Sequence, residues 1–301
     1  MRGRLIDWTV ETYNADTTRL RSTQLRTILE PQGPRAFYLK HVLPQEPEEE
    51  SNRVTDMDLG NLLHDLVLRG RVGWLKSDLS KNSNAFKELA AANRGKLFLS
   101  DKQERELLRW HDAIMRNKEA KRIVELGYPE VTGHMEIDVT LASGVVETID
   151  CKCRFDIFCS GTGQDWDIKT TCKVDRQGFE RQADDLGYHI QAGFYDLHKE
   201  AIGVFDSPHS YIVVTKTQPS YCYVWPISHQ VRNIGRTMAL EALLRLAKCR
   251  VAQREWLARN PEADPIEAWP DFQELNQDDA IMPSLNASSR VGWVDAEERG
   301  Y

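Results

Sequence analysis

The sequence predicts a mixed α/β fold, a central sheet flanked by helices with a helical cap at its N-terminal side. Three observations lead there. Apolar residues recur at helical spacing through roughly the first 130 positions. The period then falls to two over residues 133–171 and again over 209–227. Helical stretches over about 181–200 and 229–259 follow the two runs of strands. Strands interrupted in this way call for helices packed on a shared sheet.

Ser22 is placed to cap a short helix that carries Leu25, Ile28 and Leu29 and stops near Pro31. The acidic, proline-containing segment PQEPEEESNR, residues 44–53, reads as an exposed, mobile loop. DMDLGNLLHDLVLRG follows, with Leu59, Leu62, Leu63, Leu66 and Val67 on one stripe and Gly70 as its stop. His64 lies off the centre of that stripe, where a partly exposed helix residue is ordinary. A helix is expected at about 84–93, and another from Ser100, whose SDKQ has the form of a capping box. It carries Leu107, Leu108, Ile114 and Met115.

GHMEIDVTL (133–141), VVETIDCKCRFD (145–156) and DWDIKTT (165–171) read as consecutive strands. HSYIVVTKT (209–217) and SYCYVWPI (220–227) form a second pair, joined at Gln218 and Pro219. The final helix has Ile234, Met238, Leu240, Leu243, Leu244 and Leu246 as its apolar content. From Asn260 the chain is rich in Pro, Asp, Asn and Ser, which predicts an irregular tail with Trp269 and Trp293 as anchors. The expected division is an N-terminal helical cap over 1–130, a core over 131–259 and a tail over 260–301.

With 301 residues, 41% hydrophobic and 28% charged, the chain has the composition of a globular protein with a sizeable core. No run of eighteen apolar residues spans a membrane, and MRGRLIDWTVETYN lacks the apolar centre of a secretory signal, so a cytoplasmic location is expected. The six cysteines contain no C-x-x-C pair, which argues for reduced, structural thiols. The net charge of −7 does not exclude a nucleic-acid partner, because the placement of the basic groups matters more than their sum.

The stretch CKCRFDIFCSGTGQDWDIKTT, residues 151–171, places charge where a packed hairpin wants apolar side chains. Residues two apart on a strand point the same way, so Asp167, Lys169 and Thr171 share a face, with Trp166 and Ile168 on the core side. With Asp156 at the end of the neighbouring strand, two carboxylates would converge beside an ammonium. Such a cluster is unfavourable when empty, and a hard divalent cation such as Mg²⁺, with Mn²⁺ as substitute, resolves the repulsion. A surface salt bridge of Lys169 with Asp167 or Asp156 also fits the D-x-K spacing.

The ordered set of CKCRFD, DIKTT and YHIQAGFY resembles the PD-(D/E)xK nuclease superfamily, and within it the RecE-type exodeoxyribonuclease VIII group of phage and prophage recombination exonucleases. The likeness runs over roughly residues 20–250 and includes STQLRTIL, GNLLH and HMEID. It implies a restriction-endonuclease-like core. It further implies Asp156 and Asp167 as metal carboxylates, the Ile168 carbonyl as a further ligand and Lys169 as the catalytic lysine. His64 matches the helix histidine of the RecB-like branch, and Gln191 and Tyr195 match its Q-x-x-x-Y helix motif, with Tyr188 one turn before. Glu136 matches the upstream glutamate, with Glu147 as a competitor. Phe155 stands where the family has proline. Lys173, Arg176 and Arg181 are candidate DNA-backbone clamps, although a solvated charged face fits them as well.

The resemblance implies a Mg²⁺-dependent 5′-to-3′ exonuclease acting on double-stranded DNA ends, a ring-like homo-oligomer, and a single-strand annealing protein as partner. The alternative is a catalytically silent DNA-binding or recombination scaffold, against which the intact Asp156, Asp167 and Lys169 argue. An iron–sulfur nuclease is not supported, since only Cys249 lies in the C-terminal region.

Overall fold

The computed structural model describes residues 1–30, 33–43 and 54–269. The expected loop at 44–53 and the anchor Trp293 lie outside them. The chain opens with strand β1, Arg2–Ile6, and helix α1, Val10–Ala15. Helix α2, Ser22–Leu29, then leads to α3, Gly33–Phe37, and a π-helical turn at Tyr38–Val42. Ser22 is the first residue of α2 and not its cap. The cap position is Arg21, whose N–H donates to Gln24 Oε1 at 2.9 Å.

Helix α4, Asp56–Arg69, ends at Gly70, which takes the left-handed conformation as the sequence suggests. Strand β2, Trp74–Lys76, helix α5, Asn84–Ala92, and strand β3, Leu97–Leu99, follow, and β2 and β3 form a small parallel sheet. Helix α6, Asp101–Arg116, starts with the expected capping box of Ser100 and Gln103, and α7, Lys118–Leu126, completes this part. The first 130 residues are therefore not wholly helical.

The long hairpin of β4, Tyr128–Thr140, and β5, Val146–Phe158, forms the middle of the main sheet. Strand β6, Asp165–Thr171, follows. The helical stretch expected at 181–200 is two helices, α8, Arg176–Asp185, and α9, Tyr188–Ala201. Gly187, at φ 70°, breaks them, a backbone state that costs glycine little. Strands β7, His209–Thr215, and β8, Cys222–Pro226, and the long helix α10, His229–Arg259, complete the fold.

The sheet order is β1-β4-β5-β6-β7-β8, and only β6 and β7 run parallel, joined by the α8–α9 crossover. One face carries α2, α9 and α10, packed through Leu25, Ile28, Phe194, Leu243 and Leu246 against Met135, Ile149, Cys151 and Phe155. The other carries α4 and α6, packed through Leu63, Val67, Leu107 and Ile114 against Ile168, Ile212 and Val214. Trp269 is buried against Phe37 and Tyr38, so the start of the tail is anchored as expected. All six cysteines are free. Among the described residues, no helix is long and apolar enough to cross a membrane.

Candidate active site

The site lies where β5 and β6 part. Their ladder holds only the pairs Ile157–Trp166 and Phe158–Asp165, and beyond it the strands splay. Ile168 would otherwise present an unpaired N–H and C=O toward β5, and buried backbone groups of that kind require partners. Side chains supply them. The Ile168 N–H donates to Asp156 Oδ2 at 2.8 Å, and His64 Nε2–H donates to the Ile168 carbonyl at 3.0 Å. His64 Nδ1 stands 3.4 Å from the same Asp156 oxygen.

The splay also lets the two faces of the sheet meet. His64 comes from α4 on one face. Asp167 and Lys169 point to the other, where α9 covers them. Lys169 Nζ ion-pairs with Asp167 Oδ2 and donates to Gln191 Oε1 at 3.1 Å. Gln191 Nε2 donates to Asp167 Oδ1 at 3.3 Å and to the Tyr195 hydroxyl at 3.0 Å. Tyr195 in turn donates to the Arg154 carbonyl at 2.7 Å. The Lys169 ammonium sits over the Tyr188 ring, 4.4 Å from its centroid.

The electrostatics follow from this crowding. Burial, together with the charge of Asp156, pushes the Asp167 carboxyl above the usual carboxylate range. Burial would also raise Asp156, but His64 and Lys169 and its two hydrogen bonds outweigh it and hold that carboxyl low. Burial works against the charge of Lys169 and of His64. The neighbouring Asp167 and Asp156 more than offset it in both, so each holds its proton more tightly than usual. Two carboxylates, a backbone carbonyl and an imidazole are donors of the kind that suit a hard or borderline divalent cation. The ligand atoms of His64, Asp156 and Asp167 do not all lie within 4.8 Å of one another, whereas among the described residues those of His134, Glu136 and Asp150 do. Burial first, and the Asp156 charge second, make an ionised Asp167 unfavourable, which a bound cation would relieve. By donor chemistry the residues fit the group.

His64, Asp156, Asp167, the Ile168 carbonyl, Lys169, Gln191 and Tyr195 are thus brought together. Asp167 faces packed α9 rather than an open cleft, because both faces of the sheet are covered. Glu136 is not brought there. It pairs in register with Asp150, six residues before Asp156 on β5, about 20 Å away at strand rise. Its carboxylate meets Arg2 at 3.0 Å, and its ligand atoms lie within 4.8 Å of those of His134 and Asp150. Glu147 is further still along β5 and pairs with Arg254 of α10. Arg176 is tied to Glu180 at 3.0 Å, whereas Lys173 and Arg181 are exposed.

Two features carry no signal in the sequence spacing. Glu130, opposite Asp156 in the register, has φ 52° and ties Arg69 of α4 to Arg154 of β5. Behind the site, the fully buried Asp165 binds Lys199 at 2.7 Å and His209. That ion cluster packs β6 and β7 against α9.

Residues 42–257 match the family described as a PDDEXK-like domain of unknown function, DUF3799. The chain belongs to this family. Among curated proteins no sequence matches it. A crystal structure from Eubacterium rectale, described provisionally as an exonuclease, superposes with a TM-score of 0.56 at 13% identity, over 86% of this chain and 89% of that one. At that identity the likeness shows the fold alone. A phage-related exonuclease from Haemophilus somnus is similar at a TM-score of 0.29 and 11% identity, over 76% of this chain and 93% of its own, too distant to carry an argument.

Proposed function

We propose that this PDDEXK-like chain is a divalent-metal-dependent deoxyribonuclease that hydrolyses phosphodiester bonds, digesting duplex DNA from its ends in the 5′-to-3′ direction. The observation that carries it is the convergence of His64, Asp156, Asp167, Lys169 and Gln191, from four separate elements, on the Ile168 segment of the β5–β6 fork. Mg²⁺ is the expected ion, held by Asp156, Asp167, the Ile168 carbonyl and His64, with Mn²⁺ as substitute. It would supply Lewis-acid polarisation of the phosphate and acidification of water.

The chain's own groups do the rest. Lys169 stays protonated through Asp167, Tyr188 and Asp156, and so offers a fixed positive charge to the charge that develops on phosphate. Gln191 holds Lys169 by its carbonyl and Asp167 by its amide, which sets their spacing. Tyr195, tied to the Arg154 carbonyl, holds Gln191 in place. His64 can ligate only through an unprotonated nitrogen, so binding there releases a proton.

The direction of digestion, a homo-oligomeric ring and a single-strand annealing partner are part of the proposal through the resemblance to recombination exonucleases. The test is incubation of linear and closed-circular duplex DNA with Mg²⁺ or with chelator. Loss of linear DNA only, and only with metal, supports the proposal. Loss of both forms would make the chain an endonuclease. Retained DNA binding without cleavage would leave a silent scaffold.

A further inference from the structure

A second cluster of ligand-type side chains lies where β1, β4 and β5 pair, apart from the nuclease site. His134 and Glu136 are two apart on β4 and therefore share a face. Asp150 stands directly opposite Glu136 on β5, on that same face. An imidazole nitrogen and two carboxylate oxygens from these three residues lie within 4.8 Å of one another. All three sit inside the long β4–β5 ladder, so pairing fixes the backbone beneath them.

His134 sets the cluster apart from ordinary surface acids. It is 7% exposed, and its Nε2 is buried with no hydrogen-bond partner. That atom faces Asp150 Oδ1 at 3.7 Å, too far for a hydrogen bond. The gap suits two ligands that share one ion at bond lengths of about 2.1 Å. A buried ring nitrogen left unmet costs stability, and so do two carboxylates that face each other across strands. One divalent cation answers both.

The neighbouring cations leave room for it. Lys152, opposite His134 on β5, turns its ammonium to the backbone carbonyls of Tyr13 in α1 and Asp16 just after it. Arg2 meets Glu136 at 3.0 Å and Asp138 at 4.0 Å, but its side chain is 70% exposed and free to turn into water. Arg4, opposite His134 on β1, is exposed as well. The carboxylates of Glu136 and Asp150 are partly open, so an ion can enter from solvent and keep water as its remaining ligands. Mixed imidazole and carboxylate donors with an open side suit Zn²⁺ better than Mg²⁺, which favours an octahedron of oxygens.

We propose that His134, Glu136 and Asp150 bind one borderline divalent cation of the Zn²⁺ class, at a site separate from the nuclease centre. Held there, the ion ties β4 to β5 across the hairpin whose far end carries Asp156. This site does not rest on the nuclease reading.

The test is isothermal titration calorimetry of Zn²⁺ into the full chain carrying Asp156→Asn and Asp167→Asn. Those changes remove the carboxylates of the nuclease centre, so the ion counted is the one on the hairpin. One Zn²⁺ per chain is expected, with Mg²⁺ bound more weakly. Adding either Glu136→Gln with Asp150→Asn, or His134→Asn, should weaken Zn²⁺ at least about 10-fold, the smallest loss seen when a mere supporter of a ligand is removed. Arg2→Ala frees Glu136 and should tighten it. Circular dichroism melting checks folding, and Zn²⁺ should raise the melting temperature only where the three ligands are intact. If His134→Asn is unfolded, Glu136→Gln with Asp150→Asn carries the test, because both side chains reach solvent. If the Asp156 and Asp167 changes unfold the chain, the same comparison in the otherwise wild-type chain should read the loss of one equivalent. Absence of Zn²⁺ binding overturns the proposal and leaves Arg2 as the sufficient counter-charge. Binding that survives the ligand substitutions overturns it too, because the ion then sits elsewhere.

Discussion

At the scale of residues, Lys169 and His64 separate the work of the site. Lys169→Ala is expected to lower the cleavage rate by roughly 10²-fold or more, the size seen when one electrostatic stabiliser is removed, while DNA binding is largely kept. Single-turnover cleavage beside an anisotropy titration checks this, and a wild-type rate would remove Lys169 from the chemistry. His64→Ala is expected to raise the Mg²⁺ concentration at half-maximal rate. The wild-type requirement should also fall as pH rises. The Asp156 and Asp167 charges outweigh burial and lift the imidazole above its ordinary value, so below that raised value a proton competes with the ion. The variant should lose this pH dependence. Rate against metal concentration at pH 6, 7 and 8 distinguishes a ligand from a residue that only seals the Ile168 carbonyl.

At the scale of elements, the position of α9 over β6 depends on its close approach to α10. Gly235 of α10 lies against the backbone of α9, where an added Cβ would stand 1.7 Å from the His189 carbonyl oxygen. Gly193 meets α10 in the same way, with an added Cβ 2.0 Å from the Arg236 nitrogen. A rotamer change cannot relieve a clash with backbone, so the helices must move apart. Gly235→Ala is expected to cost about 3 kcal/mol of stability, at the upper end for overpacking. It should also depress kcat, because Gln191 and Tyr195 ride on the displaced helix. Urea unfolding and cleavage kinetics on the same preparation check both, and an unchanged midpoint would mean that the helices have room to adjust.

At the scale of the whole molecule, buried imidazoles set the acid limit. Burial holds both His189 and His198 near a pKa of about 4, so each is neutral in the fold. An unfolded chain takes up those protons from about pH 6.5. The stability due to the neutral rings is therefore fully present above that pH and is lost as pH falls toward 4, by roughly a few kcal/mol in total. The melting temperature should drop between pH 6.5 and 5, before most carboxylates protonate. A flat profile in that window would contradict the burial of these rings.

The sequence by itself determined the mixed α/β class, most of the strands, the caps at Ser100 and Gly70, and the type and order of the charged residues. Those features are set by neighbours within a few positions, through side-chain period and the needs of helix ends. Recognition of the PDDEXK-like family came from the same local motifs. The tertiary structure decided what depends on register and on crossing elements. Only the splay of β5 from β6 shows why His64, some ninety residues from Asp156, caps a carbonyl of β6. The β1–β4 register sends Glu136 to Arg2, and the β4–β5 register sets it beside Asp150 and leaves Glu130 opposite Asp156. Strand β1 reads as an ordinary polar terminus, because an edge strand held by pairing with β4 needs no apolar pattern of its own. The break at Gly187 was hidden because the polar and apolar spacing runs on across it, and only the left-handed backbone there turns α9 onto the site.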